Sequence, residues 1–316
     1  MALIAVDLMS TNASFAVLSK TGKILKRENI KLDGIGGKDL SLLIQKQIKK
    51  LLSIFEFKPL QIKSVGIAVP GIYYSKTGNV WAPNIKEWDN YPLRHDMSQL
   101  MEQNIRVKIA SKRTCDILGE KWLGAAKKSR NAIYLSIGSG IGAGVLIDGK
   151  ILHGFNDGVG AAGWLAMDKQ FKEGYKNRGF FEYKASGNGI LSSVPEEFER
   201  CKKYSGLLKQ KAPGELTVAD IFTAYDKKDA IAQKIIKESI KYWGIACANM
   251  ISLFNPEIII FGGSLFGPAF RFVDDIKSEA EKWAQPIFMN DVKFTKSLLG
   301  ADAGLFGAGH LAMKKF

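Results

Sequence analysis

The chain states one plan twice. "LIAVDLMSTNASFAVLSKTGKIL" (3–25) and "AIYLSIGSGIGAGVLIDGKIL" (132–152) each run from an apolar segment through a small polar turn into a second apolar segment, then a turn and GKIL. Closely spaced apolar runs of this kind predict antiparallel strands. The recurrence lies in plan more than in letters and points to internal duplication. Two similar halves, each opening on a hairpin and continuing in alternating helix and strand, predict mixed α/β sheets facing a central cleft.

After the first hairpin and the strand-like "TGKILKRENIKL", a helix is predicted at about 38–56, where Leu40, Leu43, Ile44, Ile48, Leu51, Leu52 and Phe55 recur at helical period. A strand in 64–71, a loop rich in Pro and Asn, a short helix near 96–104 and a strand at 107–110 follow. Residues 187–254 read as mostly helical, with one long helix over 230–254. Then come a strand (257–263), a helix (270–284), a strand (292–297) and a closing helix (303–316). The expected division is a first lobe of 1–115, with the closing helix packing back on it, and a second lobe of 116–302.

Composition excludes several classes. The N-terminus meets Asp7 before any signal-like apolar stretch, and no run approaches the ~18 apolar residues of a membrane span, so the expectation is a cytoplasmic protein without membrane contact. Three cysteines and three histidines are scattered, with no CxxC, CxC or HxxxH pair, so neither a bound metal nor a structural zinc is expected. The formal charge of +14 invites a nucleic-acid reading, but the lysines are spread along the chain, which favours solvated faces over an evolved phosphate-tracking surface.

Chemistry gathers at strand ends, where α/β proteins place ligands. "IGSGIGAG" sets Gly138, Ser139, Gly140, Gly142 and Gly144 between two strands. A dinucleotide fingerprint needs GxGxxG between strand and helix, so that reading fails. The turn fits either a tight hairpin without ligand or a backbone cradle for an anion. "DLMST" (7–11) offers Asp7 to orient a metal-bound water, with Ser10 and Thr11 as donors, and "FGGS" supplies Gly262 and Gly263. "GGKDL" (36–40) lacks GxxxxGK[ST] and reads as a loop and helix start. After "VKIA", "SKRTCD" (111–116) places Lys112 and Arg113 side by side at a strand end.

In order along the chain, "VDLMST", "GIAVPGIYYSKTGNVWAPNIKEWDNYPL" (66–93), "GEKWLGAAK" (119–127), "YLSIGSGIGAGVLIDGKILHG" (134–154), "NRGFFEYKASG" (177–187) and "NPEIIIFGGSL" (255–265) resemble the blocks of the ROK family of repressors, open reading frames and kinases. That family belongs to the actin, hexokinase and Hsp70 superfamily. The resemblance implies a duplicated two-lobed actin-like ATPase (ribonuclease H-like) α/β fold, with ATP and magnesium as cofactor and a hexose or N-acetylhexosamine as substrate. By position it puts nucleotide contacts on Asp7, Ser10, Thr11, Gly138, Ser139, Gly140, Gly142, Gly262 and Gly263. Sugar contacts fall on Gly71, Asn84, Ser111, Lys112 and Glu182. A homodimer is the implied assembly.

The departures from the family pattern are specific. The family has Asn-Asp after the strand at 107–110, the Asp serving as general base; in register with "LGE" (118–120) those positions hold Ser111 and Lys112. Asp116 lies one helical turn on, ~6 Å along the axis, and makes a poor substitute. The AGE-x-GH block falls on "AGWLAM" (162–167), so Trp164 replaces a sugar-binding Glu and Met167 a zinc-binding His. Trp164 either stacks on a sugar or fills the pocket, its bulk favouring the second. The CxCGxxGC cluster falls on "EGYKNRGF" (173–180), with Glu173, Tyr175 and Phe180 at cysteine positions. Met9 and Ser10 stand where the family prefers glycines. Lys112 either receives an anionic ligand or pairs with Asp7 or Asp116.

The favoured expectation is a kinase homologue with impaired catalysis that binds a sugar or sugar phosphate as a sensor or regulatory protein. The alternatives are an active ATP-dependent sugar kinase with a displaced base, and a regulator. Family repressors carry an N-terminal helix-turn-helix, whereas this sequence opens at the first strand of the kinase-like core, so DNA binding is not favoured.

Overall fold

The computed structural model describes residues 2–55, 62–101 and 104–313. The first half gives β1 (Ala2–Leu8), β2 (Asn12–Ser19), β3 (Ile24–Lys31), α1 (Gly37–Phe55), β4 (Ile62–Val69), β5 (Ile72–Tyr73), β6 (Val80–Trp81), α2 (Leu93–Asp96), α3 (Ser98–Met101), β7 (Arg106–Ser111) and α4 (Lys112–Leu123). The second gives β8 (Ala132–Ile137), β9 (Ile141–Ile147), β10 (Lys150–Ile151), α5 (Tyr175–Arg178), α6 (Phe180–Ala185), α7 (Gly187–Arg200), α8 (Val218–Asp226) and α9 (Ala230–Phe254). It continues with β11 (Ile258–Gly262), α10 (Val273–Glu281), α11 (Pro286–Met289), β12 (Lys293–Lys296) and α12 (Ala303–Met313).

The duplication read from the hairpins is structural: the two large sheets run β3-β2-β1-β4-β7 and β10-β9-β8-β11-β12, the same order twice. In the first, β1 is antiparallel to β2 and parallel to β4, which is parallel to β7. In the second, β9 is antiparallel to β10, and β11 is parallel to both β8 and β12.

Strand β1 is buried at every position because both of its faces are covered. Ile4, Val6 and Leu8 join one core with Leu40, Ile44 and Ile48 of α1. Leu3 and Ala5 point the other way and join Leu305 and Ala308 of α12. Helix α12 comes close to its neighbours through missing side chains: a Cβ on Gly66 would sit 1.9 Å from the Ala308 carbonyl, and one on Gly307 1.7 Å from the Cys115 carbonyl.

The predicted short helix near 96–104 is instead two turns, Leu93–Asp96 and Ser98–Met101, the first starting before position 96. Pro92 caps the first, since its ring presets the backbone angle of a helix start and it lacks the N–H a helix leaves unpaired there. Residues 56, 102–103 and 314–316 of the predicted helices lie outside the described residues. The helix expected over 270–284 is a 3₁₀ turn at Ala269–Phe272 followed by α10.

Two compact units emerge: Met1–Ser129, Gly144–Val159 and Ser297–Phe316 form the first; Arg130–Ala143 and Gly160–Lys296 form the second. Among the described residues no helix is long and apolar enough to cross a membrane.

Candidate functional site

In the first unit the sheet register sets up a charged cluster. Asp7 on β1 is level with Ala68 on β4, and Ala68 with Ala110 on β7, so the end of β7 stands two strands from Asp7. Ser111 ends β7 and caps α4, and Lys112 is the first residue of that helix. Its four-carbon arm reaches back across the strand ends. Lys112 Nζ donates to Asp7 Oδ2 at 3.0 Å and to Asp116 Oδ1 at 2.9 Å.

Both carboxylates are buried, at 2 % and 3 % exposure. Of the two readings left open for Lys112, pairing with aspartates is therefore what the structure contains, and it pairs with both. The axial offset of Asp116 does not keep it away, because residues i and i+4 share one helix face. The cluster holds two carboxylates and one ammonium, a net charge of −1, and Asp7 Oδ1 is buried without a hydrogen-bond partner.

Burial pushes the Asp116 carboxyl up to about 6 against the pull of Lys112. Burial also raises Asp7, again opposed by Lys112. For Lys112 burial works against the charge, but the two carboxylates prevail and hold the ammonium well above the usual lysine range. It is a fixed cation and not a proton acceptor.

Gly304, which the sequence reading did not single out, lies over this cluster, and Arg113, which it did, holds neighbouring loops. A Cβ on Gly304 of α12 would come within 2.4 Å of Lys112 Nζ and 2.6 Å of Asp7 Oδ2. The run of small residues in "AGLFGAGH" was the available signal. Arg113 donates from Nε to the Val159 carbonyl (2.8 Å), from Nη2 to that of Asp157 (2.8 Å) and from Nη1 to that of Gly71 (3.2 Å). It is a positioning residue for two loops, and nothing in its neighbourhood along the chain announces those partners.

Of the other expected residues in this unit, Gly71 has φ +70° and would drive a Cβ to 1.9 Å from the Trp81 carbonyl. Ser111 Oγ accepts from the Tyr73 N–H at 3.0 Å. Ser10 and Thr11 lie exposed in the β1–β2 turn, and Asn84 is exposed in its loop.

In the second unit the glycine turn is tight: Gly138 N–H donates to the Gly140 carbonyl at 2.9 Å. The first N–H groups of α7 close on it, Gly187 donating to the Gly138 carbonyl at 2.7 Å and Asn188 to that of Ser139 at 3.4 Å. Gly138, Ser139 and Gly187 line a cavity of about 330 Å³ whose other walls include Val218, Phe222 and Leu265. Gly142 is not among its lining residues. Gly262 and Gly263 have packing reasons of their own: a Cβ would strike the Tyr134 hydroxyl at 1.9 Å or the Ile137 carbonyl at 2.4 Å.

Glu182 on α6 accepts from the Ile141 N–H through Oε2 at 2.6 Å. Burial raises its carboxyl above the ordinary range, opposed by that backbone donor. Gly140 and Gly163 lie against it, within 2.8 and 2.9 Å of where their Cβ atoms would be. Trp164 is 52 % exposed. Its backbone ends a 3₁₀ turn, Ala162–Trp164. Where the family's cysteine cluster would fall, Tyr175 packs edge-on against Phe180 and Tyr183, both at 5.1 Å, and Phe180 against Tyr242 at 5.2 Å.

The cavity beside Gly138 pairs apolar walls with backbone and hydroxyl groups, the general make-up of a small-molecule pocket. Asp7, the one carboxylate aligned with metal chemistry, already has Oδ2 on a fixed ammonium, and a dication there would meet Lys112 at close range. Asp7 Oδ1, buried without a partner, is the acceptor of the cluster left for a cation.

The repeated sheet order, with a hairpin opening each half, is that of the two-lobed actin-like ATPase fold. The ROK family profile matches residues 3–315, and the chain belongs to that family. It is 29 % identical to a glucokinase of Halalkalibacterium halodurans over 321 residues, covering 99 % of this chain and 95 % of that protein. It is 32 % identical to a xylose repressor of Caldicellulosiruptor bescii over 277 residues, covering 85 % of this chain and 67 % of the repressor. Among solved structures, the ROK family glucokinase of Streptomyces griseus in complex with glucose and AMPPNP has a TM-score of 0.80 at 22 % identity, with 99 % of each chain covered.

Proposed function

We propose that this protein is a sugar-binding member of the kinase branch of the family whose ATP-dependent phosphoryl transfer is slow. The kinase part is supported by relatives named glucokinases that match over nearly the whole chain. The cavity beside the Gly138–Gly140 turn suits an adenosine, and Glu182 offers an oriented carboxylate for sugar hydroxyls. A slow enzyme that still holds its sugar would serve as a sensor of that sugar.

One observation carries the slow part: Lys112 is clamped as a cation between Asp7 and Asp116, at the position where the family resemblance puts the general base. The attacking sugar hydroxyl must lose a proton as its oxygen bonds to the γ-phosphorus, and an ammonium cannot accept it. Loss of a general base costs ~10²–10⁴ in rate.

The second reading is an ordinary hexose kinase using Asp116 as a displaced base. The names of the relatives favour it, and a carboxyl titrating at about 6 is mostly ionised at neutral pH. A coupled ATP assay over a panel of hexoses and amino sugars separates the two. We expect the wild type to turn over well below ~1 s⁻¹, the low end of ordinary enzymes. Lys112→Asp combined with Asp116→Ala, which restores an Asp at the family's base position without crowding three carboxylates, should raise the rate by about 10²-fold or more. A fast wild type that is abolished by Asp116→Asn would establish the displaced base instead.

A further inference from the structure

We propose that the first unit holds a pocket for a small primary ammonium ion with a branched aliphatic body, built around the carboxylate of Asp157. The pocket is independent of the phosphoryl-transfer reading above.

Three observations in the first unit carry it. First, residues of β7, α4, β10 and α12 border a cavity of about 100 Å³. Leu118, Ile151 and Leu311 give it an apolar wall, and Thr114, His153 and Asp157 a polar one. Asp7, Lys112 and Asp116 do not border it. Of the positions expected to touch a sugar only Ser111 does, and its hydroxyl already accepts from the Tyr73 N–H. A cavity of about 150 Å³ admits benzene, so this one holds a body of about five heavy atoms.

Second, the carboxylate is held in place with one oxygen to spare. Arg113 Nη2 donates to the Asp157 carbonyl at 2.8 Å, and the Ser75 N–H and hydroxyl both donate to Oδ2 at 2.8 Å. Among the described residues Oδ1 has no hydrogen bond: His153 Nδ1 stands 3.6 Å away, beyond that range. The Asp157 side chain is only 13 % exposed. An acceptor fixed before its ligand arrives adds little ordering cost to binding.

Third, the wall is unbalanced in charge. No Lys or Arg borders the cavity, and Arg113 turns its N–H groups to the carbonyls of Gly71, Asp157 and Val159. The half-exposed His153 is the one basic group on the wall. An ammonium supplies the missing positive charge and three donors. An uncharged body of the same size leaves the carboxylate without a counter-charge, and an anion is repelled.

Ligand-detected NMR titrations with isobutylammonium chloride and with isobutanol, its uncharged isostere, test this at equal ionic strength on the wild type, Asp157→Asn and Ile151→Trp. We expect the wild type to bind the ammonium with a Kd of about 1 mM or tighter, and the alcohol about tenfold or more weakly. Asp157→Asn should bring the ammonium down to the level of the alcohol. Ile151→Trp, which plugs the cavity from a half-buried position on β10, should weaken both ligands about tenfold or more. A wild type that binds neither compound, or both equally, overturns the pocket without recourse to a variant. So does an unchanged preference in Asp157→Asn, unchanged binding in Ile151→Trp, or displacement of the ammonium by glucose, which would put it in the sugar site.

Discussion

Lys112 shows how one substitution changes the accounting of its neighbours. Removing a single partner from a buried charge cluster leaves the remaining charges uncompensated. Lys112→Ala should therefore destabilise the protein by about 3 kcal/mol at pH 7.5, with much of the loss recovered at pH 5, where the two carboxylates can share a proton; chemical denaturation at both pH values measures this. The wild type carries a milder version of the same dependence. The Asp116 carboxyl is raised from 3.8 to about 6 in the folded protein. Its contribution to stability is complete below pH ~4 and is lost as pH rises through ~6, at most about 3 kcal/mol in all. Asp116→Asn should flatten that slope. The position of Lys112 was legible from its register with "LGE"; its partners were legible only as alternatives. Asp7 meets it through sheet register across 105 residues of chain, and Asp116 meets it through a shared helix face, which an axial distance alone conceals.

At the level of elements, α12 and α4 meet through absent side chains. Gly307 faces the Cys115 carbonyl, and Gly119 faces that of Ala303, where a Cβ would stand 1.7 and 2.2 Å away. Backbone cannot yield as a flexible side-chain end can, so Gly307→Ala should force the helices apart and cost about 3 kcal/mol. Gly304→Ala, which meets the movable end of Lys112, should cost less in stability while disturbing the Lys112–Asp7 pair; thermal melts of the two variants rank them. The long helix α9, the two hairpins and the strands of the second sheet were readable because period and spacing are local properties. The helix pair at Leu93–Met101 was not, since its start is set by Pro92 and not by an apolar stripe. The aromatic cluster around Tyr175 was visible only as missing cysteines: letters show which ligands are gone, whereas what fills their place depends on contacts with Tyr183 and with Tyr242 on α9.

Across the whole molecule, the second unit is nearly continuous in the chain, but the first is assembled from three pieces, the last being Ser297–Phe316. A chain cut after Leu298 should keep residues 160–296 resistant to limited proteolysis and lose protection over residues 2–129, read by mass spectrometry of the fragments. Equal protection of both regions would show that α12 is dispensable. During synthesis the same arrangement imposes an order of events. At ~5–20 residues per second, roughly ten seconds or more separate the emergence of α4 from that of α12. Through that interval the groove over Gly66 and Gly119 has no lid, and the Asp7–Lys112–Asp116 cluster sits open to water. A nascent chain of this protein must therefore keep the α12 side of its first sheet uncovered until α12 emerges, and that interval is when a chaperone would find most to hold.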